Sequence, residues 1–194
     1  MVWSDEEVAS FLATAPEHMT RALILGLETG QREADLLKLP WSAVKNGTIH
    51  LRQEKGGRRV VIPVSPLLQR ALNAAPRGDS LTILTNSRGL PWTGNGFRSA
   101  FRAARSAAGI EGVRFHDLRG TFVTKRFEEG WTTEEIIFCT GHSIRDVRTL
   151  ERYTARGQVA ESNALMLRNR LWRNEEGSEA ANCAANRSPG RGAK

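Results

Sequence analysis

Apolar residues recur with a helical period through most of the chain, and the period changes in one short stretch. Ser4-Asp5-Glu6-Glu7 forms a capping box that opens an apolar-periodic segment reaching Ala15, where Pro16 breaks it. Leu23, Leu25 and Leu27 belong to a second helix over 19–28, closed by Thr29-Gly30. A short third helix over 32–38 stops before Pro40. The pattern then shifts to extended runs at 48–51 and 59–63, separated by the hairpin turn Glu54-Lys55-Gly56-Gly57-Arg58. A third short strand is expected at 81–85. Helical periodicity resumes at 65–75, 96–108, 116–129, 133–140, 146–153 and 159–172. From Arg173 the apolar period is lost, so 1–172 reads as one domain and 173–194 as a flexible tail. The predicted class is mainly α with a small antiparallel β-sheet (α+β).

One helix has two distinct faces. Arg98, Arg102 and Arg105 lie at i, i+4 and i+7, while Phe97 and Phe101 share another face with Ala104 and Ala108. Aromatics toward a core and guanidiniums outward suit phosphate contacts; a solvated surface face has the same pattern. The charge balance sharpens this. Subtracting 21 Asp+Glu from 28 Lys+Arg leaves +7, a surplus that favours a polyanionic partner, nucleic acid before anionic membrane. No run is apolar enough to span a bilayer, and the acids at positions 5, 6 and 7 do not suit a signal peptide. Cys139 lies in an apolar run and Cys183 in a polar tail, which suits a reducing cytosol and gives no zinc spacing with the four histidines.

The chemistry-bearing residues form an ordered series. The only tyrosine, Tyr153, ends the run that begins Gly141-His142; upstream lie His116-Asp117-Leu118-Arg119 and Thr29-Gly30-Gln31-Arg32. Cutting a phosphodiester with a side chain needs fixed cations for the charge that develops on the non-bridging oxygens. Arginine fits, because its planar fork grips two oxygens and stays charged. The nucleophile must lose a proton, which for a free phenol at pH 7 costs about 4 kcal/mol. The departing oxygen needs an acid. His116 and Arg119, at i and i+3 at a helix start, share a face where phosphate binds readily. Arg32 sits at the mouth of another helix, where Asp35 could hold its guanidinium, and Lys55 sits on the hairpin. Each has a plainer reading: a packing tyrosine, a helix-start histidine, a surface Arg32–Asp35 pair, a turn lysine.

The runs Thr29-Gly30-Gln31-Arg32 through Trp41, Gln53-Glu54-Lys55 through Pro63, His116-Asp117-Leu118-Arg119 through Phe122, and Gly141-His142 through Tyr153 together resemble the catalytic domain of tyrosine recombinases, the phage-integrase family. The resemblance covers roughly 1–172. It implies Arg32 and Arg119 as phosphate clamps, Lys55 as general acid, His116 and His142 as helpers in proton transfer and phosphate binding, and Tyr153 as the nucleophile that leaves a 3′-phosphotyrosyl link. It also implies double-stranded DNA as substrate, a tetramer on DNA in the full-length protein, a cytoplasmic, nucleoid-associated location, and no metal or ATP, because the covalent link conserves the bond energy. A separate helical DNA-binding domain usually precedes such a domain, and none is expected within this chain. Three positions depart from the pattern: Asp35 where glutamate is usual, Gly120 where histidine is frequent, and an interval of 11 from His142 to Tyr153, about two longer than expected. Two rival readings are a type IB topoisomerase-like relaxing enzyme and a DNA-binding module that has lost catalysis.

Overall fold

The computed structural model describes residues 1–142. The expected helices at 146–153 and 159–172, the domain boundary at 172, the tail, Tyr153 and Cys183 lie outside the described residues. The described elements are α1 (Asp5–Thr14), α2 (Glu17–Thr29), α3 (Glu33–Leu37), a 3-10 turn (Trp41–Ala43), β1 (Val44–Lys45), β2 (Thr48–Arg52), β3 (Arg59–Pro63), α4 (Pro66–Asn73), α5 (Gly94–Ala107), α6 (Asp117–Glu128) and α7 (Thr133–Thr140). The class is the expected one, mainly helical with a small antiparallel sheet. No helix among the described residues is long and apolar enough to cross a membrane.

The helix starts follow their caps. Ser4 Oγ accepts from the Glu7 N–H at 3.1 Å while the Glu7 carboxylate accepts from the Ser4 N–H at 2.8 Å. Thr132 and Glu135 repeat the arrangement at α7. Helix α2 is buried around most of its circumference, through Met19, Ala22, Leu23, Ile24, Leu25 and Leu27, and forms the axis of the core. It packs against α6 so closely that a Cβ on Gly26 would meet Leu118 Cδ1 at 2.7 Å. An aromatic cluster ties α1 and α5 to the segment entering α6: Phe11 stacks on Phe101 at 5.0 Å, and the Phe115 ring stands edge-on to Phe97 and Phe101, each at 5.0 Å. A second cluster, Phe122, Val123, Phe127, Ile136 and Cys139, joins α6 to α7.

The sheet order is β1-β2-β3, with Ile49 opposite Ile62 and Leu51 opposite Val60. This alternation places Ile49, Val60 and Ile62 in the core. The sheet's third strand is β1, not the expected 81–85. Asn46 and Gly47, both at positive φ (49° and 72°), turn β1 into β2 as a two-residue hairpin loop. Residues 81–85 make only isolated bridges, Pro40 with Thr82 and Thr85 with Pro91. The prolines on the opposing segments lack the N–H that would extend a ladder.

Candidate active site

Four segments distant in sequence meet at one point. The first is the α2–α3 turn. Gly30 ends α2 in the left-handed region at φ 62°, where a Cβ would also strike Phe122 Cδ1 at 2.6 Å. The turn leaves the Gly30 carbonyl facing α6, and Arg119 Nη1 donates to it at 2.7 Å. The second segment is α6, whose start places His116 at the N-cap, exposed, and Arg119 buried in the first turn. The third is the end of α7: Gly141 takes φ 68° and redirects the chain, bringing the His142 ring back toward the bundle. Arg119 Nε donates to His142 Nε2 at 3.3 Å, and His142 Nδ1 lies 2.7 Å from Thr140 Oγ1.

The fourth segment is the β2–β3 hairpin, and a buried pair of amides fastens it. Gln53 Nε2 donates to Gln31 Oε1 and to the Thr140 carbonyl, each at 2.7 Å. Gln31 Nε2 in turn donates to the carbonyls of Thr29 at 3.0 Å and Cys139 at 2.8 Å. Both side chains are nearly inaccessible, and a Cβ on Gly141 would come within 2.5 Å of Gln53 Oε1. Buried amides need such partners, and here they tie two of the motifs to the last turn of α7. At the far side of the turn Arg58 Nη1 donates to the His142 carbonyl.

The sequence-derived site residues fall into place unevenly. Arg119 and His142 are in contact. Arg32 is the N-cap residue of α3, two residues beyond the Gly30 carbonyl that Arg119 holds; its Nη1 is buried without a hydrogen-bond partner among the described residues. Lys55 is exposed on the hairpin turn. Asp35 does not hold the Arg32 guanidinium as expected. It is buried, and its Oδ1 accepts from the Glu54 N–H at 2.8 Å, so the shorter carboxylate anchors the Lys55 turn instead. Lys38, just past the end of α3, reinforces the contact by pairing with the Glu54 carboxylate.

The arginine stripe of α5 is divided. Arg98, Arg102 and Arg105 line a cleft of about 640 Å³ together with Arg114, His116 and Glu33. Arg102 is exposed, whereas Arg98 pairs with Glu33 at 2.8 Å and Arg105 turns back to donate to the Val113 carbonyl. One acid against four arginines leaves the cleft basic. Sequence reading missed Gln31, Gln53, Thr140, Arg58 and Arg114. Gln31, Gln53 and Arg58 already stood inside the quoted motifs, but nothing local marks a glutamine as buried or an arginine as bound to a distant carbonyl.

A sequence model of the phage integrase family matches residues 3–158. The shufflon-specific DNA recombinase of Escherichia coli is 32% identical over 133 residues, which is 67% of this chain and 33% of that protein. The chain spans about a third of the length of the curated relatives it matches. Among solved structures, XerA recombinase superposes with a TM-score of 0.70 at 20% identity, over 86% of this chain and 65% of that one. A lambda integrase dimer bound to a COC′ core site does so at 0.64 and 23% identity, over 77% and 46%. At these identities the structures establish the fold, that of a tyrosine recombinase catalytic domain, and the family match extends over the clustered motifs. The chain belongs to the phage integrase family.

Proposed function

We propose that the chain is the catalytic part of a site-specific DNA recombinase or integrase that cuts and rejoins double-stranded DNA through a 3′-phosphotyrosyl intermediate. The observation that carries this reading is the contact of Arg119 with both the Gly30 carbonyl and His142, which gathers three of the four sequence motifs around one guanidinium. Arg119 and Arg32 receive the scissile phosphate. The buried Arg32 Nη1 needs an acceptor, which a phosphate oxygen supplies. Tyr153 Oη attacks phosphorus and gives up its proton to a histidine, His142 or His116; the bond from phosphorus to the 5′-oxygen breaks, and Lys55 gives that oxygen a proton. Rejoining reverses these steps when a 5′-hydroxyl attacks the phosphotyrosine, with bond energy carried in the ester and neither metal nor ATP required. Arg98, Arg102 and Arg105 face the DNA backbone in this arrangement, with Arg102 the most available and Arg98 exchanging Glu33 for phosphate. Self-association on DNA follows for the full-length protein.

The test uses a pool of nicked duplexes of randomised sequence, so that cleavage releases a short strand and traps the enzyme. The reading expects a denaturation-resistant protein–DNA adduct from the wild type and none from Tyr153→Phe. A folded wild-type chain that binds the duplexes without forming an adduct is instead a DNA-binding module.

A further inference from the structure

We propose that Thr140 is a positioning residue that fixes the tautomer of His142, holding the ring proton on Nδ1 and leaving a lone pair on Nε2. The assignment follows from counting protons along one chain of hydrogen bonds. Thr140 Oγ1 lies 2.6 Å from the Ile136 carbonyl and 2.7 Å from His142 Nδ1. The hydroxyl has one proton. The Ile136 carbonyl can only accept, so at 2.6 Å that proton belongs on the line to Ile136, the back-bond a threonine makes to the carbonyl four residues earlier in a helix. Oγ1 therefore accepts, and His142 Nδ1 carries a hydrogen. On the opposite side of the ring Arg119 Nε can only donate, and it points at His142 Nε2 at 3.3 Å. Thr140 and Arg119 thus demand the same tautomer. The chain Arg119 → His142 → Thr140 → Ile136 runs in one direction with every donor matched to an acceptor.

Burial makes the arrangement firm. Thr140 is fully buried, so water does not compete for its oxygen. The backbone supplies the rest: Gly141 in the left-handed region folds His142 back over the last turn of α7, and Gln53 Nε2 holds the Thr140 carbonyl. Residues 140–142 therefore act as one unit, with Thr140 determining which nitrogen faces Arg119. The consequence for catalysis rests on the recombinase reading: with Nδ1–H committed to Thr140, Nε2 is the atom that receives a proton and, once protonated, can donate to the phosphate. The tautomer itself does not depend on that reading.

The experiment is nitrogen NMR of the histidine-labelled full chain without DNA. Four histidines make the spectrum assignable, with His142 identified by its loss in His142→Gln. The wild type is expected to show His142 protonated at Nδ1. Thr140→Val, which keeps shape and loses the hydroxyl, shifts His142 toward the Nε2–H form, and Thr140→Ser retains the wild-type form. In nicked-duplex cleavage at a temperature where the variant remains folded, Thr140→Val lowers the maximal rate about tenfold with half-saturating DNA kept, and Thr140→Ser restores the rate. An Nε2–H tautomer in the wild type overturns the proposal. So does a Thr140→Val chain whose tautomer or cleavage rate is unchanged. If Thr140→Val does not fold, the wild-type and Thr140→Ser spectra decide. A wild type that never cleaves DNA sinks the recombinase reading, while the tautomer still decides for or against Thr140.

Discussion

Asp35 Oδ1 accepts the backbone N–H of Glu54 at 2.8 Å, one residue before the exposed Lys55. A carboxylate in one sequence motif thus fixes the turn that carries another. Asp35→Ala is expected to loosen that turn and lower DNA cleavage about tenfold, and leaving the Glu54 N–H unpaired costs roughly 1–3 kcal/mol of stability. Asp35→Asn, which retains an acceptor oxygen, should fall between the two. Urea unfolding and nicked-duplex cleavage check both effects.

The Gln31–Gln53 pair should behave as a unit. Gln53→Leu strands the Thr140 carbonyl and Gln31 Oε1, with an expected loss of about 1–3 kcal/mol. Adding Gln31→Leu should cost less than it does alone, because its partner is already gone. A double-mutant cycle by urea unfolding measures the coupling; strict additivity would rule out a shared network.

Arg119 has a structural task in the fold, and the proposed function gives it a chemical one as well. Its Nη1 donates to the Gly30 carbonyl in the buried turn, so Arg119→Ala is expected to lower stability by about 1–3 kcal/mol. Cleavage should fall by at least ~10²-fold, on the scale of removing one donor to developing negative charge. Single-turnover cleavage at a temperature where the variant remains folded separates the two losses.

Cys139 is 3% exposed, and burial pushes its thiol from the ordinary 9.0 up to about 11, against a smaller opposing pull from Arg126. Below pH 9 the folded and unfolded chains both hold the proton. Between 9 and 11 the unfolded chain releases it and the folded one does not, so stability falls as pH rises through that window. Unfolding at the two ends should show this slope, reduced in Cys139→Ala. Native Cys139 should also resist alkylation below pH 9, read by peptide mass spectrometry.

Local features were legible where their chemistry is local. Ser4 and Glu7, Thr29-Gly30 and the glycines of the 54–58 turn mark their elements directly in sequence, and the Phe97/Phe101 face of α5 is buried as its spacing implies. β1 went unread because two residues carry no alternation; only Asn46-Gly47 signals the turn. The stretch 81–85 has strand composition, but proline on the opposing segment prevents a ladder. Inside the site, charged residues in motifs were visible and their partners were not. Asp35 chose the Glu54 N–H over Arg32, Arg105 chose the Val113 carbonyl over solvent, and the two glutamines met only through tertiary packing. Such choices depend on which carbonyls and N–H groups folding leaves unpaired, and that is not a property of spacing.

A covalent link between Tyr153 and a cut DNA strand is the signature of the proposed chemistry. Adduct trapped on a nicked duplex would be digested with nuclease and protease, and the modified peptide sequenced by mass spectrometry. The expected product is a nucleotide 3′-phosphate esterified to Tyr153. A phosphate carried on a serine, histidine or cysteine, or cleavage that leaves no phosphotyrosine, would contradict it.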